Sequence, residues 1–79
     1  MPRREALYVK FGVVVSYYRV HRLEVTQLEL AKLTKRTRAA IANIEAGRQR
    51  IYLKDVLVFA EAFKIDPCVL IREVQKVRK

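Results

Sequence analysis

The sequence predicts an all-α fold of five short helices, and three observations support that prediction. Apolar residues recur at helical spacing along most of the 79-residue chain. Capping residues precede three of these stretches. The segment that most resembles a strand, residues 13–15, has neither alternating polarity nor a hairpin partner, so we expect tertiary contacts to make it helical. A chain of this length is expected to form one domain, at residues 1–79.

The first, fourth and fifth helices are predicted from apolar periodicity and from their termini. Helix 1 is expected from about Arg4 to Arg22, and helix 4 from about Leu53 to Phe63. Asp66 and Pro67 should begin helix 5 as its cap and first helical residue. The apolar positions assigned to the core are Leu7, Phe11, Val14, Val15 and Tyr18 in helix 1, and Leu53, Val56, Leu57, Ala60 and Phe63 in helix 4.

Residues 26–45 predict two further helices joined by a tight turn. Thr26 and Glu29 fit a capping box, in which each side chain accepts the backbone N–H of the other residue. Thr37 is placed to cap helix 3, expected at residues 38–46, and Gly47 is placed to close it. The residues expected to face the core are Leu30, Ala31 and Leu33 in helix 2, and Ile41 and Ile44 in helix 3.

This segment resembles the helix-turn-helix of the Cro/repressor-type (Xre-like) DNA-binding domains. The residues that carry the resemblance are Gln27, Leu30, Ala31, Ile41, Ile44, Glu45 and Gly47, followed by Leu57, Ala60 and Phe63. The similarity covers residues 11–66 and implies a compact, lambda-repressor-like fold. The chain length and the added C-terminal helix also resemble the small controller proteins of restriction–modification systems. Among the departures, Lys35 and Glu24 replace frequent glycines, and Arg36 replaces a small apolar residue.

The net charge of +9 is large for 79 residues and suits a polyanionic partner, because each neutralised phosphate releases counterions. Residues 26–50 hold six basic and two acidic side chains, so the positive excess peaks over the helix-turn-helix and the loop behind it. The charge alone does not favour a polyanionic partner over the alternative, in which the basic residues only keep a small domain in solution. The motif favours double-stranded DNA.

The start of helix 3 is expected to contact base edges, since a helix-turn-helix places its second helix in the major groove. Arg38 can donate two hydrogen bonds to guanine O6 and N7. Asn43 can pair with adenine or bind a phosphate, and Ala39 or Ala42 can touch thymine methyl groups. Helix propensity alone also explains the alanines, and for Ala40 it is the better explanation.

Residues around helix 3 are expected to position the protein on the DNA backbone without reading its sequence. These candidates are Thr26, Gln27, Lys35, Arg36, Thr37, Arg48, Arg50 and Tyr52. The resemblance implies the phosphate contact of Gln27, and the free N–H groups at the start of helix 2 favour it. Each basic candidate can instead be a solvated surface charge. The resemblance also implies a structural ion pair between Arg19 and Glu45.

Helix 5 carries more apolar surface than docking on a four-helix core requires. We expect Leu70, Val74 and Val77 to pack inward, while Val69 and Ile71 stay partly exposed unless a second subunit covers them. Residues 67–78 are therefore the predicted dimerisation element. Its interface residues are predicted to be Val69, Leu70, Ile71 and Val74. The alternative is a C-terminal lid on a monomer.

The function expected from these features is transcriptional regulation by a homodimer on a palindromic operator, with RNA polymerase as a further contact. The alternative is an antitoxin that binds a protein toxin and autoregulates its operon. An enzyme is not expected, because the sequence has no glycine-rich phosphate loop, no Cys/His nucleophile pair and no metal set. No cofactor or metal is expected either, since His21 is alone and suits a surface position.

The cellular setting is inferred from cysteine usage and hydropathy. Cys68 is the single cysteine and can form no internal disulfide, so a packing role in a reducing compartment is the simplest inference. No apolar run approaches the ~18 residues that a membrane span needs. We therefore expect a cytoplasmic protein, and the resemblance implies a bacterial, phage or plasmid origin.

Overall fold

A computed structural model describes residues 4–78, without the side chains of residues 4 and 5, and shows five α-helices and no strand within that range. The helices are α1 (Arg4–Tyr17), α2 (Gln27–Leu33), α3 (Arg38–Glu45), α4 (Leu53–Phe63) and α5 (Pro67–Lys76). The predicted all-α fold is therefore confirmed. The predicted domain limits, residues 1 and 79, lie outside the described residues.

Helix α1 does not end as a regular helix, because its last part, Tyr18–Leu23, winds as a π-helix. The sequence predicted the extent of this helix to within a residue but not the change of winding. Glu24 ends the π-helical segment in the left-handed conformation, at φ 55°, and its N–H donates to the carbonyl of Arg19. The β-branched run at residues 13–15 is helical, as predicted.

The close approach of α1 to α3 depends on Gly12. A Cβ atom at this position would collide with the backbone carbonyl oxygens of Ile44 and Glu45. Glycine normally weakens a helix interior by ~1 kcal/mol relative to alanine. Here it lets α1 lie against the C-terminal turn of α3.

Local capping defines both helices of the helix-turn-helix. Thr26 Oγ1 accepts the N–H of Glu29 at 3.1 Å, and Glu29 Oε1 accepts the N–H of Thr26 at 2.8 Å. Thr37 Oγ1 accepts the N–H of Ala40 at 3.0 Å, which begins α3. Gly47 follows α3 at φ 76°. These are the caps that the sequence predicted.

The core differs from the prediction mainly in the rotation of α4. Leu53 and Leu57, assigned to the core, are 71% and 50% exposed, whereas Phe59 is fully buried. Phe59 packs edge-on against Phe11, with ring centroids 5.8 Å apart. Two other predicted core residues, Leu7 and Leu33, are also exposed. The buried core consists of Phe11, Val14, Val15, Leu30, Ala31, Ile41, Ile44, Phe59, Ala60, Phe63 and Leu70.

Helix α5 begins as predicted, with Asp66 Oδ1 accepting the N–H of Cys68 at 2.7 Å and Pro67 in the first turn. It ends at Lys76, two residues before the predicted limit. Leu70 is fully buried against the other helices, and Val74 and Val77 pack partly against the same core. Leu70 therefore cannot contribute to a subunit interface, which corrects one predicted interface residue. No helix in the described range is long and apolar enough to cross a membrane.

Candidate nucleic-acid interface

The first two turns of α3 carry the four residues predicted to contact bases. Arg38 and Ala39 are exposed, while Ala42 and Asn43 are half-buried. The opposite side of the helix holds Ile41 and Ile44, which are 0% and 1% exposed. The helix therefore has one side in the core and another that presents a long cation and small side chains to solvent.

Four side chains form a continuous hydrogen-bonded series, which we call the relay: Arg19, Glu45, Gln27 and Arg38. Arg19 Nε donates to Glu45 Oε2 at 2.6 Å, and Arg19 Nη2 donates to Glu45 Oε1 at 3.2 Å. Gln27 Nε2 donates to the same Glu45 Oε1 at 3.0 Å. Arg38 Nη1 donates to Gln27 Oε1 at 3.2 Å. The relay thus joins the π-helical end of α1, the start of α2 and both ends of α3.

The Arg19–Glu45 ion pair is partly buried: the two side chains are 15% and 9% exposed. Arg19 also donates from Nη1 to the carbonyl of Val25, at 2.9 Å. Each of these bonds involves a charged group and is stronger than a bond between neutral groups. The Glu45 charge is therefore paired with the Arg19 guanidinium.

The loop between α3 and α4 carries three of the predicted phosphate-contacting residues, Arg48, Arg50 and Tyr52, and all three are exposed. The N–H of Arg48 donates to the carbonyl of Asn43 at 3.0 Å. Arg48 Nη2 also donates to Asn43 Oδ1, at 3.3 Å. The start of the loop is therefore tied to the same turn of α3 that carries a candidate base contact.

The far end of this loop is held by Asp55, a residue that sequence reasoning missed. Asp55 is 3% exposed, and its Oδ2 accepts the N–H of Tyr52 at 2.7 Å. An acidic residue three positions after a helix cap is a recognised N-terminal signal, and it could have indicated this role. Tyr52 serves as the cap residue through its backbone, and the residue is 53% exposed.

Arg36 departs from the prediction that it contacts phosphate. Its Nη2 donates to Asp55 Oδ1 at 2.6 Å, and its guanidinium lies over the ring of Phe59, 5.5 Å from the centroid. The side chain is only 22% exposed. Arg36 therefore links the helix-turn-helix to α4, and we exclude it from the candidate DNA surface.

The remaining backbone candidates surround the start of α3. Lys35, Thr26 and Thr37 are exposed. Gln27 is half-buried and uses its amide within the relay. Exposed cations at residues 35, 38, 48 and 50 thus come from the turn, the helix and the following loop. Such a surface attracts a polyanion from a distance and can neutralise several phosphates on contact.

Neither histidine nor cysteine forms part of this surface. His21 is exposed and its ring contacts that of Tyr17 in a tilted arrangement, with centroids 4.7 Å apart. Cys68 is exposed at the start of α5 instead of packed as expected. Among the described side chains, those of residues 6–78, no three from His, Cys, Asp or Glu are grouped so that they could hold a metal ion.

The described fold is similar to two solved structures of regulatory proteins. The first is the restriction-modification controller protein C.AhdI from Aeromonas hydrophila, at TM-score 0.77 and 29% identity over 92% of this chain and 99% of that chain. The second is the clp gene regulator ClgR from C. glutamicum, at TM-score 0.80 and 17% identity over the whole of both chains. No protein-family model matches the sequence, and no curated protein is significantly similar to it. The solved structures therefore confirm that this chain resembles the helix-turn-helix regulators of the Cro/repressor type, including a restriction–modification controller protein.

Proposed function

We propose that this protein is a sequence-specific regulator of transcription that binds double-stranded DNA with α3 in the major groove. The observation that carries the proposal is the start of α3, where Arg38 is exposed and hydrogen-bonded within the relay. A helix-turn-helix contacts base edges with this part of its second helix. The likeness to a controller protein and to a gene regulator supports a regulatory role.

The base contacts are assigned to Arg38, Ala39, Ala42 and Asn43. Arg38 is proposed to donate to guanine O6 and N7, which discriminates by ~1–3 kcal/mol. Asn43 Oδ1 is engaged with Arg48, and its amide nitrogen is proposed to donate to a base or a phosphate. The alanine methyl groups allow close approach to the groove floor.

The backbone contacts are assigned to the residues around α3. Lys35, Arg48 and Arg50 provide charge, and Thr26, Thr37 and Tyr52 provide polar groups. Contacts of this kind fix the orientation of the protein without carrying sequence information. Each neutralised phosphate should make the slope of log affinity against log salt concentration more negative by ~0.9.

We propose further that the protein binds as a homodimer through α5 and the neighbouring face of α4. Ile71 is 44% exposed, and Val69 and Val74 are half-buried. Ile71 and Val74 line an apolar groove together with Leu7, Tyr8, Phe11, Ile51, Val56 and Gln75. Leu53 and Leu57 of α4 are also exposed. Association would remove this apolar surface from water. This would stabilise the protein, because a chain of this length has only a small core of its own.

Selection of bound sequences from a random duplex library tests the proposed function. A homodimer should place its two recognition helices about 34 Å apart, one turn of duplex. The selected site should therefore be an inverted repeat with half-site centres ~10 bp apart. Absence of any enriched sequence, at a salt concentration where random duplex is bound, would reject sequence-specific recognition.

A further inference from the structure

The side chain of Gln27 lies between a carboxylate and a guanidinium. Its Nε2 donates to Glu45 Oε1 at 3.0 Å, and its Oε1 accepts from Arg38 Nη1 at 3.2 Å. An amide has one donor end and one acceptor end, whereas an ionised carboxylate only accepts. Glu45 therefore selects the donor end of the Gln27 amide, and the acceptor end is left for Arg38.

Glu45 itself has little freedom to change this arrangement. Both of its oxygens accept from Arg19, whose Nη1 is in turn held by the carbonyl of Val25. The Glu45 side chain is only 9% exposed, so little of it is accessible to water that could replace these partners. The orientation of the Gln27 amide is thus set by partly buried charged contacts and is transmitted to an exposed residue at the other end of α3.

We infer that Glu45 is a positioning residue that determines base specificity without touching DNA, because it orients Gln27 and thereby Arg38. This inference rests on the proposed function. A guanidinium has five N–H donors, and a guanine contact uses two. Among the described residues, Gln27 is the hydrogen-bond partner of Arg38, so enough donors remain for the base.

The gain from this arrangement is pre-organisation. A free arginine side chain loses rotamer freedom when it binds a base, and that loss weakens the contact. Gln27 holds the guanidinium before DNA arrives, so the loss is smaller. Glu45→Gln removes the constraint, since a second amide can donate or accept and no longer selects one end of Gln27. The preference for guanine should then fall about two- to tenfold.

The test compares affinities for four duplexes that differ only at the base pair whose preference Arg38→Ala removes. Glu45→Gln is the first variant. Gln27→Ala is the second: it deletes the centre of the relay but keeps the Arg19–Glu45 pair, so its fold is less affected. Glu61→Gln is the matched control, because it makes the same charge change at an exposed residue of α4. The ratio of affinities between duplexes does not depend on the folded fraction, so a purely structural role would leave it unchanged.

We expect Glu45→Gln and Gln27→Ala to lower the guanine preference while Glu61→Gln retains it. The affinity of Glu45→Gln for random duplex and its salt slope should match those of Glu61→Gln, since both variants lose one negative charge. If the unmodified chain prefers guanine and both relay variants keep the full preference, the inference is overturned while the proposed function stands. If the unmodified chain shows no base preference at all, the proposed function and the inference both fail.

Discussion

Arg36 donates from Nη2 to Asp55 Oδ1 at 2.6 Å and so joins the turn of the helix-turn-helix to the first turn of α4. The second oxygen of Asp55 accepts the N–H of Tyr52 at 2.7 Å. One buried carboxylate therefore connects two segments that flank α3, the turn before it and the end of the loop after it. The guanidinium of Arg36 also lies over the ring of Phe59 in the core.

This pair leads to a prediction about stability. Asp55→Ala should lower the free energy of unfolding by about 3 kcal/mol, because it leaves the half-buried Arg36 charge and the Tyr52 N–H without an acceptor. Glu73→Ala breaks the Lys76–Glu73 pair, whose atoms are 3.6 Å apart and whose side chains are largely solvated. It should cost at most about 0.5 kcal/mol. Urea unfolding measures both, and equal effects would show that the Arg36–Asp55 pair adds nothing to stability.

Gly12→Ala is predicted to destabilise the protein although alanine favours helices. The added methyl group would meet the carbonyl oxygens of Ile44 and Glu45, which are backbone atoms and cannot rotate away. Separating α1 from α3 should cost about 1–3 kcal/mol in spite of the gain in helix propensity. Ser16→Ala, one turn further along α1, is the control and should change stability little. A Gly12→Ala protein as stable as this control in thermal unfolding would contradict the close approach.

Ile71→Asp is predicted to split the dimer and leave each subunit folded. Ile71 is 44% exposed in one chain, so a carboxylate is tolerated there until a second subunit would bury it. Sedimentation at micromolar concentration should give a dimer for the unmodified chain and for Ile71→Val, and a monomer for Ile71→Asp. DNA affinity should fall steeply with Ile71→Asp, because each half-site is then bound independently. A 9.3 kDa monomer of the unmodified chain that still binds one palindrome tightly would show that α5 is only a lid.

Signals confined to a few adjacent residues predicted the ends of the helices well. The capping box of Thr26 and Glu29, the cap at Thr37 and the Asp66-Pro67 start of α5 each depend on contacts within three residues. Because these contacts join residues that are close in sequence, they can be predicted without knowing how the helices pack.

The rotation of α4 could not be predicted in the same way. Eight of its eleven residues are apolar and only three of these are buried, so several faces of the helix were plausible core faces. Phe59 is chosen over Leu57 because its ring fits against Phe11 and Phe63, contacts that exist only in the folded protein. Helical periodicity identifies a helix but does not rank competing faces of similar hydrophobicity.

Of the connections within the candidate site, the Arg19–Glu45 pair was predicted from the family resemblance and is present, whereas the other connections were not predicted. Arg36 and Asp55 are 19 positions apart, and Gln27 and Glu45 are 18 apart, so no local pattern links them. Lys35 and Glu24 adopt φ 57° and 55° at positions where the resembling family often has glycine. The turn geometry is therefore kept without glycine, at a cost of ~1–2 kcal/mol per residue that the surrounding contacts must offset.

The central claim is that Arg38 at the start of α3 recognises a base. The direct measurement compares the unmodified chain with Arg38→Ala on a selected operator and on random duplex, across a range of salt concentrations. Arg48→Ala is the control for a backbone contact. We predict that Arg38→Ala loses ~1–3 kcal/mol on the operator, relaxes the preference at one guanine-containing position per half-site and changes random binding little. Arg48→Ala should weaken all duplexes alike and make the salt slope shallower by about 1. Equal losses on operator and random DNA for Arg38→Ala would contradict the claim.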